Sequence, residues 1–478
     1  MSWAEPSITR SRSTRLQPYT PASFRPISLQ NCSMKLVCKV LTSRLQRQMP
    51  KLVDVDQTGF LAGRSISENF VYATELVQTC FKRKAPCIVL KLDFAKAFDS
   101  VSWPSLQKVM LARGFPVLWS EWMDSIFSLS RSAILLNGLP GKWIKCLRGL
   151  RQGDPLSPYL FLIVADVLQR LIRADDVLQH PLVDGAPWPV LQYADDTLII
   201  LRADVGAARR LRLLLQQFER ATGLCINYAK STLVPMHVPP AVLAEGHAAL
   251  QCQVEGFPQT YLGLPLSAEK LRLAAFAPLI AKVDKYLSGW RALLLSPGGR
   301  LVLLNAVLDA LPAYAMGAMV LPPGLIAALD RLRRAFLWGA VDKVNGAQCL
   351  VAWDRVCRDK REGGLGVRSL ADQNSCLQVK LLHRLHTATG ESWPRWVWGA
   401  LDGTPIDMAA SSGLLSGAHW TSLLQLLPLY RSVSRVQVGD GRRTTFWLDS
   451  WRPEGPLSIF MPELFSHCTL PVPRYSKW

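Results

Sequence analysis

No stretch of this 478-residue chain reaches the roughly 18 uninterrupted apolar residues that a membrane-spanning helix requires. Asp166 cuts the run Phe161 to Ala165, and Asn305 and Asp309 cut the stretch Leu301 to Ala318. The first residues, Met1-Ser2-Trp3-Ala4-Glu5, lack the apolar core of a signal peptide. These absences argue against a spanning helix and against secretion, so the expected location is the nucleus, the cytoplasm or both. No C-x-x-C pair occurs among the 11 cysteines, which supports neither a structural zinc site nor a disulfide framework. Acidic residues are also scarce: 36 Asp and Glu face 55 Lys and Arg, a net charge of +19. Such an excess suggests a polyanionic partner, nucleic acid first among them. What is plentiful is apolar: 49% hydrophobic against 19% charged residues describes a globular chain able to bury a core, in two to four domains.

Residues 1–21 are rich in Ser, Thr, Pro and Arg and are expected to be loop or disorder. Order begins at Phe24-Arg25-Pro26-Ile27, and Ser33 to Met49 reads as a basic helix with Met34, Val37, Leu41 and Leu45 on one side. A helix is expected from Ile66 to Phe81, after a glycine-punctuated loop, Gln57 to Ser65. Cys87-Ile88-Val89-Leu90-Lys91-Leu92-Asp93 is a β-rich run that ends on an acid. Arg131 to Asn137 reads as a strand entering the hairpin turn Asn137-Gly138. The loop Arg148 to Pro158, with two glycines and two prolines, leads into an apolar helix from Tyr159 to Ile172. A further helix, Val205 to Thr222, stops at Gly223. Short strands and helices without strict βα alternation argue an α+β fold with an antiparallel sheet covered on one face, the acids lying on its open side. Beyond residue 266 the chain turns helical, with Leu271–Leu295, Arg300–Leu311 and Leu325–Trp338 as candidates, and after residue 346 it becomes rich in Trp.

The chemistry concentrates at Gln192-Tyr193-Ala194-Asp195-Asp196-Thr197, an acid pair between strand formers and so expected in a tight hairpin turn. Two neighbouring carboxylates repel, a cost that a divalent cation removes; the plain alternative is an exposed β-turn, where Asp is common. With Asp93 at another strand end, three hard oxygen donors suit Mg²⁺. Two such ions, about 3.5–4 Å apart, serve in-line phosphoryl displacement. The acids and the charge alone leave a polymerase and a nuclease open.

The order of motifs narrows this. Arg25-Pro26-Ile27, Leu92-Asp93-Phe94-Ala95-Lys96-Ala97-Phe98-Asp99, Gln152-Gly153-Asp154-Pro155-Leu156-Ser157-Pro158, Tyr193-Ala194-Asp195-Asp196, Gly223 to Asn227 with Lys230, and Tyr261-Leu262-Gly263 follow one another as in reverse transcriptases. The chain most resembles the reverse transcriptase of non-LTR (LINE-type) retrotransposons, those of plants above all. The resemblance covers about residues 22–266 and continues weakly to about 370 through Trp290, Ser296 to Arg300, Phe336 to Gly339 and Gly363 to Gly366.

This resemblance implies a right-hand polymerase with fingers, a palm and a thumb, followed by a helical, Trp-rich C-terminal region. The implied domains are 22–266 for fingers and palm, 267–345 for a helical thumb or connection, and 346–478 for the Trp-rich part. It implies that Asp93, Asp195 and Asp196 hold two Mg²⁺ ions, with Mn²⁺ as a substitute. Phe98 would lie beneath the incoming sugar, Gln152 and Gly153 against the nucleotide and templating base, Arg25 on the triphosphate, and Lys230 by the departing pyrophosphate. Arg64 would touch template backbone, and Tyr261 to Leu264 the primer strand. The implied activity is RNA-directed DNA polymerisation with an RNA template, a DNA primer and deoxynucleoside triphosphates as partners. Thr9 to Arg15 has no Lys where the family carries one, and no endonuclease, zinc-knuckle or RNase H-like segment is recognisable. The expectation is therefore a piece of a transposable element, with a catalytically inactive nucleic-acid-binding remnant or domesticated copy as the alternative.

Overall fold

Cys87 to Leu92 carries one polar side chain, Lys91, and Leu198 to Leu201 carries none. Continuous apolar runs with β-branched residues favour strands buried on both faces. The computed structural model describes residues 3–7, 25–183, 190–289, 295–339, 349–387, 390–408, 415, 417–441 and 443–468. They fall into two compact units, Met1–Asn69 with Lys84–Gly256, and Phe70–Arg83 with Phe257–Trp478.

The first unit begins with β1 (Trp3–Ser7), β2 (Arg25–Leu29), α1 (Cys32–Gln46), α2 (Met49–Leu52) and the start of α3 (Ile66–Lys82). Next come β3 (Cys87–Leu92), β4 (Phe94–Ala95), α4 (Ala97–Ser100), α5 (Trp103–Ala112) and α6 (Val117–Ser128). The short strands β5 (Arg131–Leu136), β6 (Leu139–Pro140) and β7 (Ile144–Lys145) precede α7 (Ser157–Arg173). The unit closes with β8 (Val190–Tyr193), β9 (Asp196–Arg202), α8 (Ala207–Thr222), β10 (Cys225–Ile226), β11 (Thr232–Met236), α9 (Pro240–Leu250) and β12 (Gln253–Val254).

Its central sheet has the order β12-β11-β3-β9-β8, antiparallel except for the β11–β12 pair. Ile88, Leu90 and Leu92 of β3 and Ile199 and Leu201 of β9 join one core with Leu160 to Ala165 and Leu168 of α7 and Leu211, Leu215 and Phe218 of α8. Each such fully buried aliphatic side chain contributes about 1.5–3 kcal/mol. The alternate residues Val89, Leu198, Ile200 and Val234 are buried as well. The sheet is therefore covered on both faces over this stretch, against the expectation of one open face, and the acids sit at strand ends. The unbroken apolar runs were the signal.

The α7 helix is tied down by Asp166, whose fully buried carboxylate accepts from Arg113 and Arg170, both at 2.7 Å, and from the Asp54 N–H at 2.6 Å. Arg173, about two turns further on, pairs with Asp54 and Asp56 at 2.5 and 2.6 Å. A buried carboxylate is tolerable only when paired in this way, and the pairing fixes the loop that starts at Asp54.

Two expectations change. In α1 the buried seam is Cys38, Leu41, Thr42 and Leu45, while Val37 is exposed; one residue of offset turns a side chain by about 100° on a helix, out of the seam. The N-terminal segment is not wholly loop, since residues 3–7 form β1 and pair with β2; strand pairing supplies backbone bonds that composition does not reveal. Residues 8–24 and Trp290 lie outside the described residues.

The second unit holds a hairpin, β13 (Gln259–Tyr261) with β14 (Leu264–Leu266), and helices including Ala277–Gly289, Pro323–Trp338, Leu370–Thr387 and Ser392–Leu401. Residues Leu273–Phe276, expected as α-helix, form a 3₁₀ turn instead. Arg333 is almost fully buried and bonds Asp309 at 2.6 Å, Asp330 at 2.5 Å and the Arg368 carbonyl at 2.7 Å. Trp393 and Trp420 are core residues. Among the described residues, no helix is long and apolar enough to cross a membrane.

Candidate active site

The acids owe their placement to strand register. β3 runs antiparallel to β9, with Leu92 opposite Thr197 as the last pair. Asp93 and Asp196 are each one step beyond that pair, so they stand at the same end of the sheet. Facing positions of an antiparallel pair have Cα atoms about 4.5–5.5 Å apart. β8 pairs with β9 up to Tyr193 opposite Asp196. The hairpin turn is thus Ala194-Asp195, with Asp196 already in β9, one residue earlier than the expected turn. Ala194 takes φ +56° and is buried, while Asp93, Asp195 and Asp196 are exposed.

Asp93 is anchored through its backbone. Its N–H donates to Ser231 Oγ at 3.1 Å, and its carbonyl accepts from the Asn227 N–H at 2.7 Å. Lys230 lies on the turn between those two partners, its N–H donating to the Asn227 carbonyl at 3.1 Å and its side chain exposed. The two-residue pairing of β4 with β10, Phe94 opposite Ile226, sets this turn beside the acid.

From Asp93 the chain passes into α4, where Phe98 stacks on the buried Phe161 with ring centroids 4.8 Å apart and 12° between planes. The loop after Arg148 is zipped onto this segment: Gly149 N–H donates to the Val101 carbonyl at 2.8 Å and Leu150 N–H to the Phe98 carbonyl at 2.7 Å. The same loop reaches β2, since Ser28 N–H donates to the Gln152 carbonyl at 2.8 Å. Gly153 has φ +100°, and a Cβ there would stand 3.2 Å from the Ser28 carbonyl oxygen, so only glycine fits this approach without strain. The next residue, Asp154, is buried; its carboxylate accepts from Gln30 Nε2 and from the Leu156 N–H, both at 2.8 Å. Burial, then the neighbouring Asp154, push the Cys38 thiol up to about 12. Arg25 opens β2, and its side chain lies outside the described residues.

Asp93, Asp195, Asp196 and Lys230 thus gather around one end of the sheet, and Phe98, Gln152 and Gly153 belong to a backbone-bonded chain of segments that runs from Asp93 to β2. Among the described residues, no three His, Cys, Asp or Glu side chains are drawn together closely enough to hold a metal ion. The donor chemistry nonetheless fits a hard divalent cation: three carboxylates at one strand end, exposed to water and to phosphate oxygens, which such ions take as their remaining ligands. Arg64 is a loop clamp, its guanidinium donating to the carbonyls of Asp54, Gln57 (2.6 Å) and Val53 (3.2 Å). Gln57, buried and bonded to Ala194, carries no mark in the sequence beyond its place two residues before Gly59 in the glycine-punctuated loop. In the second unit Tyr261 is buried in the β13–β14 hairpin, and the Tyr314 hydroxyl donates to the Leu262 carbonyl at 2.9 Å.

The family model of the reverse transcriptase (RNA-dependent DNA polymerase) matches residues 13–266. A putative ribonuclease H protein of Arabidopsis thaliana is 33% identical over 199 residues, 41% of this chain and 32% of that protein. The Pol polyprotein of the type-1 retrotransposable element R2 of Nasonia vitripennis is 29% identical over 187 residues, 39% of this chain and 18% of its own length. An uncharacterized 149 kDa protein of transposon TX1 from Xenopus laevis is 24% identical over 386 residues, 78% of this chain and 28% of that protein. The chain spans about a third or less of each of these relatives.

Proposed function

The chain belongs to the reverse transcriptase family, and on that premise we propose that it adds deoxynucleotides to a DNA primer on an RNA template, as the polymerase part of a non-LTR retrotransposon. The observation that carries this reading is the register of β3 on β9, which gives Asp93 and Asp196 one sheet end, with Asp195 in the adjoining turn. Residues 22–266 would then provide fingers and palm, 267–345 the thumb or connection, and 346–478 an appended Trp-rich region.

Asp93, Asp195 and Asp196 would hold two Mg²⁺ ions, or Mn²⁺. Bound there, such ions supply stabilisation of the attacking and leaving oxygens. The remaining work falls to the chain's own groups. The primer 3′-hydroxyl oxygen bonds the α-phosphorus of the deoxynucleoside triphosphate as the hydroxyl proton passes to water, the bond from the α-phosphorus to the pyrophosphate oxygen breaks, and Lys230 gives the leaving pyrophosphate a proton that it regains from water. Arg25 holds the triphosphate with its planar fork, the Gln152-Gly153 backbone packs against the nucleotide and templating base, and Phe98, backed by Phe161, fills the space a 2′-hydroxyl would need. Catalysis of this kind is positioning and electrostatics. The net charge of +19 favours a nucleic-acid duplex and makes its binding steeply salt dependent.

A second reading, nucleic-acid binding without catalysis, draws on the net charge of +19, which favours a polyanionic partner with or without chemistry at the acids. Extension of a DNA primer on an RNA template with Mg²⁺ separates the two. Incorporation by the native chain that is lost in Asp195→Asn with Asp196→Asn upholds the polymerase. No incorporation by either removes it and leaves binding.

A further inference from the structure

The turn that presents Asp195 has an awkward backbone. Ala194 adopts φ +56°, a region that costs an L-residue with a side chain about 1 kcal/mol or more. A positive φ at the first central residue is what a two-residue hairpin turn of type II′ demands, a place usually given to glycine. A side chain 137 residues away holds an alanine there. Gln57 Oε1 accepts from the Ala194 N–H at 2.9 Å, and Gln57 Nε2 donates to the Ala194 carbonyl at 3.3 Å. One carboxamide thus grips both backbone groups of the strained residue. The same Oε1 accepts from the Gly59 N–H at 3.0 Å; two N–H groups converging on one atom identify it as the oxygen. Gln57 is fully buried and Ala194 nearly so, so these bonds are shielded from water.

The surroundings make the clamp rigid. Gln57 forms a parallel bridge with Gln192, Thr58 N–H donates to the Gln192 carbonyl at 2.9 Å, and Gln192 N–H donates to the Asp56 carbonyl at 3.1 Å. Asn69 Nδ2 adds a bond to the Gln192 carbonyl at 3.0 Å. The loop's own base is fixed by Asp54 on Asp166 and Arg173 and by Arg64. Gly59 approaches so closely that a Cβ on it would stand 2.6 Å from the Ala194 nitrogen. The loop Asp54 to Gly59 is thus a fitted bed for the hairpin tip.

We infer that Gln57 is a positioning residue, whose carboxamide sets the backbone of Ala194 and so aims Asp195 and Asp196. It touches no reacting atom and acts only through Ala194. The inference rests on the polymerase reading for its consequence in catalysis, but the clamp itself is a property of the folded chain.

The test uses the full chain with Gln57→Leu, Gln57→Asn and Gly59→Ala. Leu removes the bonds, Asn keeps the chemistry but falls short of the turn, and the added methyl of Gly59→Ala keeps the Gln57 side chain but presses on both partners of the clamp, 2.6 Å from the Ala194 nitrogen and 3.1 Å from Gln57 Oε1. Hydrogen exchange of the peptide covering Gln192 to Leu198, without metal, reads the clamp directly. Loss of two buried hydrogen bonds should speed exchange there about ten-fold or more, with exchange in α7 and α8 unchanged. Primer extension should show kcat lowered about ten-fold while KM for a primer annealed to RNA changes less than two-fold. A thermal melt confirms which variants are folded, and Gly59→Ala serves where the Gln57 variants are not. Unchanged hairpin exchange in a folded variant overturns the clamp; native kcat with accelerated exchange overturns its role in aiming the acids. If the native chain extends no primer, the polymerase reading fails, and faster or unchanged hairpin exchange still upholds or removes the clamp.

Discussion

The Ser28 N–H donates to the Gln152 carbonyl at 2.8 Å, a bond that ties the loop Arg151 to Asp154 to β2. The approach leaves no room at Gly153, where a Cβ would meet the Ser28 carbonyl at 3.2 Å and φ is +100°. Gly153→Val should therefore cost about 1–3 kcal/mol of stability from backbone strain and lower primer extension further than its fall in thermal midpoint explains. Native extension by a folded Gly153→Val chain would remove this loop from the nucleotide site.

Phe98 faces a related constraint, since it is held flat against Phe161. Phe98→Val removes the stack, worth about 0.5–1.5 kcal/mol, and, with the nucleotide placed as proposed, opens space beside its sugar. The expected outcome is a rise of about ten-fold or more in ribonucleotide relative to deoxynucleotide incorporation, measured by single-nucleotide extension with each triphosphate in turn. An unchanged ratio would make Phe98 a core residue only.

In the second unit Arg333 and Asp309 are both buried and bonded at 2.6 Å. Burial raises the Asp309 pKa, and Arg333 opposes that rise. Arg333→Leu strands the carboxylate and should cost about 3–5 kcal/mol in urea denaturation. Arg333→Leu combined with Asp309→Leu should recover most of that loss. A double variant no more stable than the single one would show that the ion pair itself, rather than its completeness, holds these helices.

His180 gives a pH dependence with a definite sign. It is 2% exposed, and its Nδ1 accepts from the Leu182 and Val183 N–H groups at 3.1 and 3.2 Å. Burial, and secondarily Arg202, lower its pKa from 6.5 to about 4. The folded chain therefore holds His180 neutral, and its contribution is full above the unfolded value of 6.5. As pH falls from 6.5 towards 4 the unfolded state takes the proton first, and stability drops by roughly 3 kcal/mol. Urea denaturation at pH 7 and pH 4.5 should show this loss in the native chain and not in His180→Gln; equal losses in both would assign it to the carboxylates.

Much of the site was legible because its signals are local. Asp93 at the end of an apolar run, Asp195 and Asp196 between strand formers, the Gly223 stop of α8 and the Asn137-Gly138 turn all follow from side-chain preferences a few residues long. The family motifs add order along the chain, and the family match over residues 13–266 bears out that resemblance. Arg64 looked like a cation available to a template, and only the folded loop shows it spent on three carbonyls.

The sequence by itself determined the element types, the basic charge and the identity of the candidate acids, since propensity, periodicity and residue chemistry act at short range. Only the tertiary structure decided that β3 meets β9 with Leu92 opposite Thr197, that both faces of the sheet are covered, and that Gln57 grips Ala194. These depend on hydrogen bonds and burial between segments more than a hundred residues apart. A one-residue slip in that register would turn every side chain of a strand to the other face, and no local preference records which register the packed core selects.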